Sequence, residues 1–481
     1  MSLKILKLDI FENRNYTNII HTQSKATKII APVRNMICDR NMIPLTNRNT
    51  SIRYLNPDGQ ISSNHGIPFD FPQRHGKDRV AMHLVGYTSS DGTGLCGIEK
   101  KYNEILKTDK NVKISYTADG AGNPLKDSRL ITDSQTESKT ALRLTIDYHI
   151  QKITEKALND FIPKGAAVVL DVNSFDVLAM ASNPQYDSNE KYTTADNGQL
   201  LNRALCAYNA GSIFKIVTAS AALESDFRYI DKTFWCSGKF TGDGVHIFEC
   251  NKSEGHMQQS FTSAFANSCN CAFYETGLLI GAHKLINTAH NFGLGSQCVD
   301  MGNEEACGNI PKKDVYTANE AINLSIGQGE IMITPIQCAA MCATVANGGI
   351  RKKTNVVCGE VNMVGGSESS LRSDCSYPVI SAATASAIGA MMRECVLFGT
   401  ASEAASSPFK IAGKTGSAES GWQTESGEMA VHGWFCGFFP YDNPRYALAI
   451  VCENGRSGAQ SCIKPFIKIC EEINKIYPFI Q

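Results

Sequence analysis

Three short constellations in this chain hold residue types that could attack and grip a carbonyl compound. Ser212-Ile-Phe-Lys215 pairs a hydroxyl with an amine, and Ser268-Cys-Asn270 pairs a second hydroxyl with an amide. Lys414-Thr415-Gly416-Ser417 sets a cation and two hydroxyls around a glycine. A serine hydroxyl is a poor nucleophile until a base takes its proton, and a lysine serves only if its ammonium form is disfavoured. A helix start and burial both act in that direction. None of the three is specific alone. Ser-x-x-Lys recurs at Ser188/Lys191, Ser407/Lys410 and Ser461/Lys464, and Ser-x-Asn at Ser62/Asn64, whereas Lys-Thr-Gly occurs only at 414–416. The embedded Gly-Lys-Thr is not a phosphate loop. Where such a loop needs its first glycine the chain has Pro408, with no N–H and a fixed φ.

These groups need elements to place them. Gly211 precedes the apolar-periodic run IFKIVTASAALE, which predicts a helix with Ser212 in its first turn and Lys215 one turn along on the same face. Ser268 follows a helical pattern, QQSFTSAFANSCNCAFYETG. Residues 141–162 begin with alternation and pass into helical spacing, with Ile150, Ile153, Ala157, Leu158 and Phe161 on one face. GAAVVLDVNSFDVLAMASN (165–183) reads as a hairpin, and 429–455 as a second one around Pro440–Pro444. A terminal amphipathic segment carries Ile463, Phe466, Ile467 and Cys470 at helical spacing. Strands at both ends with helical patterns between them predict an α+β sheet domain closed by its own terminus. Residues 1–140 are polar and turn-rich, and predict an extended or small β-rich unit.

Composition narrows the classes. The 481 residues allow two to four domains. A net charge of −1, from 46 basic and 47 acidic residues without long basic runs, gives no nucleic-acid surface. The 18 cysteines show no C-x-x-C and no Cys/His set with zinc spacing, so no metal is expected. Cys269-x-Cys271 and Cys338-x₃-Cys342 read as small buried apolar residues, and Cys236 with Cys250 as the first pair to test for a disulfide. The opening MSLKILKLDIFENRNYTN is too short and too charged for a signal-peptide core, and no spanning helix follows it. The uncharged run 331–350 contains Pro335, Gln337, Asn347 and a Gly-Gly pair, and predicts a buried core helix with a loop end.

Order separates signal from coincidence. Serine-lysine, then serine-x-asparagine, then lysine-threonine-glycine is the signature of enzymes that react with penicillin. The chain resembles a class B penicillin-binding protein, a peptidoglycan D,D-transpeptidase. The likeness extends through APVRNMICDRNMIPL (31–45), 81–106 with its Gly97-Ile98-Glu99, LTIDYHIQ (144–151), 165–184, 201–215, LSIGQGEIMITPIQ (324–337), AGKTGSAES (412–420) and HGWFCGFFP (432–440), all in family order. It covers roughly residues 30–470. The resemblance implies an α+β transpeptidase domain, an antiparallel sheet flanked by helices with an all-helical lobe, over 141–481. A smaller β-rich N-terminal pedestal domain would occupy 1–140.

The resemblance also implies roles. Ser212 would attack the carbonyl between the last two D-alanines of a pentapeptide stem, Lys215 would take its proton, and Ser268 would pass one to the departing D-alanine. Asn270 would hold the substrate amide and orient Lys215. Lys414 would supply positive charge, Thr415 and Ser417 would bind the terminal carboxylate, and Gly416 would admit the substrate backbone to the strand edge. The N–H groups of Ser212 and Ser417 would form an oxyanion hole. Implied partners are stem peptides, β-lactams as inhibitors and a membrane glycan polymerase of the SEDS type, with no cofactor and no nucleic acid. Placement at the extracytoplasmic face of a bacterial membrane is likewise implied, although relatives carry an anchor that this sequence does not display. Ala210, Ser417 and Met257 depart from common family residues without removing a catalytic group. A lone His432 reads as structural, and Gln328 and Gly329 as near the site, with turn geometry the plainer reason for the glycine. A D,D-carboxypeptidase and a non-catalytic β-lactam sensor or wall-assembly scaffold share the motifs. A β-lactamase does too, but fits neither the 140-residue front nor the long interval before Lys414.

Overall fold

The computed structural model describes residues 24–479 except 77–78, 127, 134–138, 187–197, 243, 424–426 and 428. The opening segment and the Ser188/Lys191 pair lie outside the described residues. In the front of the chain, β1 (Lys25–Arg34) alternates outward and inward side chains, as a half-buried strand must. The short β2 (Met36–Cys38) follows, then β3 (Asn49–Leu55), β4 (Ile67–Gln73) and the long β5 (Lys107–Thr117). β1 pairs antiparallel with β5, and β3 with β4, making two small sheets that share a modest core around Leu55, Phe69 and Ile114.

The front is tied into the rest of the chain. β2 runs parallel to β6 (Thr140–Leu144), which pairs in turn with residues 357–362. Fully buried Glu99 clamps this region by ion pairs to Arg34 (2.8 Å) and Arg74 (2.6 Å). Two buried cations facing a missing carboxylate are expensive, so Glu99→Ala should cost about 3–5 kcal/mol. Denaturant unfolding followed by fluorescence measures it.

The large domain forms around one antiparallel sheet. The helix α1 (Tyr148–Phe161) starts where the Asp147 carboxylate accepts from the N–H groups of His149 and Ile150. Then come β7 (Gly165–Asp171) and β8 (Val177–Asn183), the first hairpin. The helices α2 (Lys215–Ser225), α3 (Phe261–Ala266), α4 (Asn270–Ile280), α5 (Ala318–Ser325) and α6 (Pro335–Ala346) build the middle. α6 carries a capping box of Thr334 and Gln337 with Pro335 in its first turn, and its residues from Pro335 to Val345 are buried. After β9 (Val357–Asn362) and α7 (Ala382–Phe398) come β10 (Ala412–Gln423), β11 (Met429–Phe439), β12 (Tyr446–Gly455) and α8 (Gly458–Ile476).

The sheet order is β8-β7-β12-β11-β10, antiparallel throughout. Both faces are covered. Ala166, Val168, Leu170, Ala447 and Ala449 pack into the core that holds α6, while Ala167, Val169, Leu448 and Ile450 pack with α1 and α8. That is why β7 reads as an unbroken apolar run rather than an alternation. On α1 the buried face contains Ile150, Ala157 and Leu158 as expected, but Phe161 is 43% exposed. The helix ends there, and Ile162 turns into the core instead. Among the described residues no helix is long and apolar enough to cross a membrane.

Candidate active site

Three elements converge on Ser212. The turn Gly211–Phe214 is a 3-10 helix that runs into α2 with no side-chain cap on either. Gly211 holds it at φ +52°, and a Cβ there would meet the Ser417 carbonyl at 2.7 Å. The strand β10 therefore lies directly against the serine turn. Gly416 permits the same closeness, since a Cβ on it would reach Ile213 at 2.7 Å. Gly327 closes the turn from the other side: its carbonyl accepts from the Gly211 N–H at 3.0 Å. The sequence points to Gln328 and Gly329 in this stretch, yet Gly327 makes the contact.

Gly327 has φ +74° and a Cβ would lie 2.2 Å from the Gly211 carbonyl oxygen, whereas Gly329, at φ +79°, has open space around it. Gly327→Ala should therefore slow acylation by penicillin at least about tenfold by shifting the serine turn. Gly329→Ala carries only its backbone strain, about 1–3 kcal/mol, and should leave that rate near the parent's. Comparing the two rates isolates the steric contact.

Lys215 is fully buried on α2. Its Nζ lies 2.7 Å from the Ser268 carbonyl oxygen, 2.6 Å from Asn270 Oδ1 and 3.2 Å from Ser268 Oγ. Among the described residues no carboxylate pairs with it. Burial, seconded by the nearby Lys414 ammonium, holds its pKa well below the ordinary lysine value. A neutral amine has two N–H bonds, which match the two short contacts, and its lone pair remains for a hydroxyl proton. Ser268 itself sits at φ +54°, a left-handed conformation uncommon outside glycine.

On β10 Lys414 is also fully buried, with its Nζ 3.0 Å from the Thr415 carbonyl oxygen and 5.7 Å from the Phe265 ring centre. Burial lowers its pKa. Ser417 is exposed, and its Oγ accepts from the Gly458 N–H at 3.3 Å. Thr415 is different: its hydroxyl is 2.5 Å from that of Thr400, a residue the sequence reading misses. Thr400 follows α7, and no motif links it to residue 415; only the fold brings the two hydroxyls together. His432 sits edge-on to Tyr208 at 5.3 Å, its Nδ1 buried without a hydrogen-bond partner among the described residues.

The structure separates the duplicate motifs. Lys410 pairs with Asp442 at the surface, Lys464 faces Glu403, and the Ser62 hydroxyl donates to the His65 carbonyl.

The sequence shows no Cys/His set with zinc spacing, yet the fold brings one together in space. Cys236, Cys250, His256 and Cys269 bring three thiols and one imidazole nitrogen within 4.8 Å of one another. His256 Nδ1 is 3.6 Å from Cys236 Sγ and 3.5 Å from Cys250 Sγ, and the Cys250 and Cys269 sulfurs are 3.8 Å apart. Tetrahedral zinc, with bonds of about 2.3 Å to sulfur and about 2.0–2.1 Å to nitrogen, has edges of about 3.8 Å between sulfurs and about 3.5 Å between sulfur and nitrogen. The four groups fit that ion. Cys236 and Cys250 are free thiols rather than a disulfide, and share His256. The ligands are spread over residues 236–269 without a compact spacing motif. Cys269 lies between Ser268 and Asn270, so an ion here would brace the loop that holds Lys215. Cys338, Cys342 and Cys436 form a second cluster, wholly buried and without a fourth ligand among the described residues, and pack as core.

Residues 165–469 match the family described as the penicillin binding protein transpeptidase domain. Stage V sporulation protein D of Bacillus subtilis is 27% identical over 92% of this chain and 71% of its own length. Peptidoglycan D,D-transpeptidase MrdA of Haemophilus influenzae is 27% identical over 79% of this chain, which spans 62% of that protein. The crystal structure of penicillin binding protein 3 from Mycobacterium tuberculosis with aztreonam superposes with a TM-score of 0.74. That likeness has 25% identity and covers 94% of this chain and 97% of that one. The matched family domain carries the serine turn, the lysine and the strand edge described above, and the chain belongs to the class B penicillin-binding protein transpeptidases.

Proposed function

We propose that the chain is a serine D,D-transpeptidase of peptidoglycan, acylated at Ser212 by the penultimate D-alanine of a stem peptide and by β-lactams in its place. The observation that carries this is Lys215: buried, without a carboxylate partner among the described residues, and aligned by Ser268 and Asn270. Ser212 Oγ attacks the carbonyl carbon as its proton passes to the Lys215 lone pair. The Ser268 hydroxyl relays a proton to the leaving amine, and D-alanine departs. Asn270 holds the substrate amide, and the Ser212 and Ser417 N–H groups receive the developing oxyanion, an effect that contributes about 3–4 kcal/mol where measured. Lys414, Thr415 and Ser417 face the terminal carboxylate, while Gly416 keeps the strand edge open to the substrate backbone. An acceptor amine then attacks the ester and restores Ser212.

Residues 1–140 act as a pedestal, the catalytic domain works at the extracytoplasmic face of a bacterial membrane, and a SEDS-type glycan polymerase supplies the strands. The test is incubation with a pentapeptide stem and an acceptor amine, read by mass spectrometry. A cross-linked product with released D-alanine is expected. Tetrapeptide alone would make the protein a carboxypeptidase. Penicillin labelling without any peptide product would make it a sensor.

A further inference from the structure

A cleft of about 1270 Å³ opens between the front sheets, lined by β1, β3, β4 and β5, and shares no residue with the serine site. Its charge is one-sided. Arg34, Arg48, Arg53, Arg74, Lys110 and Lys139 line it, and no aspartate or glutamate does. Glu99, behind the wall, binds Arg34 and Arg74. Among the described residues no carboxylate pairs with the other four cations. Arg48 and Arg53 lie over the rings of Tyr148 and Phe71.

One buried donor in the wall also lacks a partner. Arg74 Nη2 makes no hydrogen bond among the described residues, while the neighbouring His75 Nε2 stands 3.9 Å from Glu99 Oε1. Buried donors are normally satisfied, so a missing acceptor fits here. The remaining lining is not that of a compact ion's site. Phe71, Val112 and the turn at Met363–Val364 add apolar surface, with Val364 76% exposed. β1 is the outer strand of its sheet among the described residues, and its 31–34 segment borders the cleft. Cations, apolar patches and a strand edge together match an extended chain with alternating acidic and apolar side chains.

We propose that this cleft is the docking site for an extended acidic segment of a partner protein. Because Val364 falls within the family-matched region and β1 within the front, the segment would touch both parts of the chain.

The probe is a fluorescein-labelled peptide alternating glutamate and leucine, followed by anisotropy at low ionic strength with the full chain. Arg48 and Lys110 are solvent-facing, so Arg48→Glu with Lys110→Glu should fold, and unchanged penicillin labelling verifies this. The peptide should bind the parent, at least about tenfold more weakly bind the double variant, and lose affinity as salt rises. The glutamine-for-glutamate peptide should not bind. Equal binding to parent and variant, equal binding of the glutamine peptide, or no binding at all overturns the proposal. A preference for phosphatidylglycerol vesicles over the peptide overturns it too. Since labelling is read in the same samples, failure here leaves the acyl-transfer reading standing.

Discussion

Replacing Ser212 by alanine should abolish covalent labelling by a fluorescent penicillin. Replacing Lys215 by alanine should slow labelling by about 10²–10⁴-fold with Ser212 in place. The first follows from chemistry: among the described residues no other serine of a Ser-x-x-Lys pair stands at the start of an uncapped helix with a buried amine one turn away. The second follows from the protonation state. Burial, then the Lys414 charge, keeps Lys215 below its usual range. The base is lost as pH falls through that depressed pKa, so the parent's acylation rate should rise with pH and level off well below 10.5. The same burial has a stability cost. Between the depressed pKa and 10.5 the unfolded chain binds a proton that the folded chain does not, so the contribution of Lys215 to stability improves as pH rises across that window. Alanine also deprives the Ser268 carbonyl and Asn270 of their donor, so a lower rate alone could reflect a displaced loop. Methylamine separates the two causes. A small amine entering the vacated space should restore part of the Lys215→Ala rate, and only in its unprotonated form. Undiminished labelling of Ser212→Ala would end the assignment of the nucleophile.

What could be read from sequence depended on whether the signal was local. Gly165–Asp171 is apolar at every step because both faces of β7 are buried, and such a run between turn residues is visible without coordinates. The Ser212 turn was legible because glycine, serine and a helical run are contiguous. Gly327 was not: what makes it a glycine is a carbonyl oxygen 2.2 Å from its missing Cβ, on a residue more than a hundred positions away. Thr400 was hidden for the same reason. The parallel pairing of β2 with β6 also has no local signature, since the two strands are about a hundred residues apart and only burial of Ile37 and Leu142 rewards their meeting. Phe161 shows the limit of periodicity itself: it is the last residue of the helix and stays exposed, while Ile162 just beyond takes the core position.

The cysteines have no zinc spacing along the chain but meet in the fold, and they carry the other large prediction. Protein purified without chelator should contain about one zinc per chain by elemental analysis, matching a single Cys₃His site. Removing it with 1,10-phenanthroline should lower Tm by roughly 5–10 °C, the shift expected for a ligand bound with nanomolar affinity at micromolar concentration. Cys250→Ser should do the same, and should also slow penicillin labelling by about 10–100-fold, because partners that orient active groups from behind typically have effects of this size. The reason lies in the backbone. Ser268 is held at φ +54°, a conformation that costs about 1–3 kcal/mol outside glycine and persists only if its surroundings enforce it. Cys269, the next residue, is the one ligand of the four that can transmit such enforcement directly, because its neighbours on both sides touch Lys215 Nζ. A structural metal would thus link the strand at Cys236 and the segment at Cys250 and His256 to the loop that fixes the base. Cys338→Ser, in the three-thiol core cluster, should leave the zinc content unchanged. If the protein reconstituted with zinc under reducing conditions holds none, and the chelator moves neither Tm nor labelling, the four ligands are only a thiol cluster. A mass lower by two hydrogens with Cys236 and Cys250 in one cross-linked peptide would replace the metal with the disulfide that the sequence suggested.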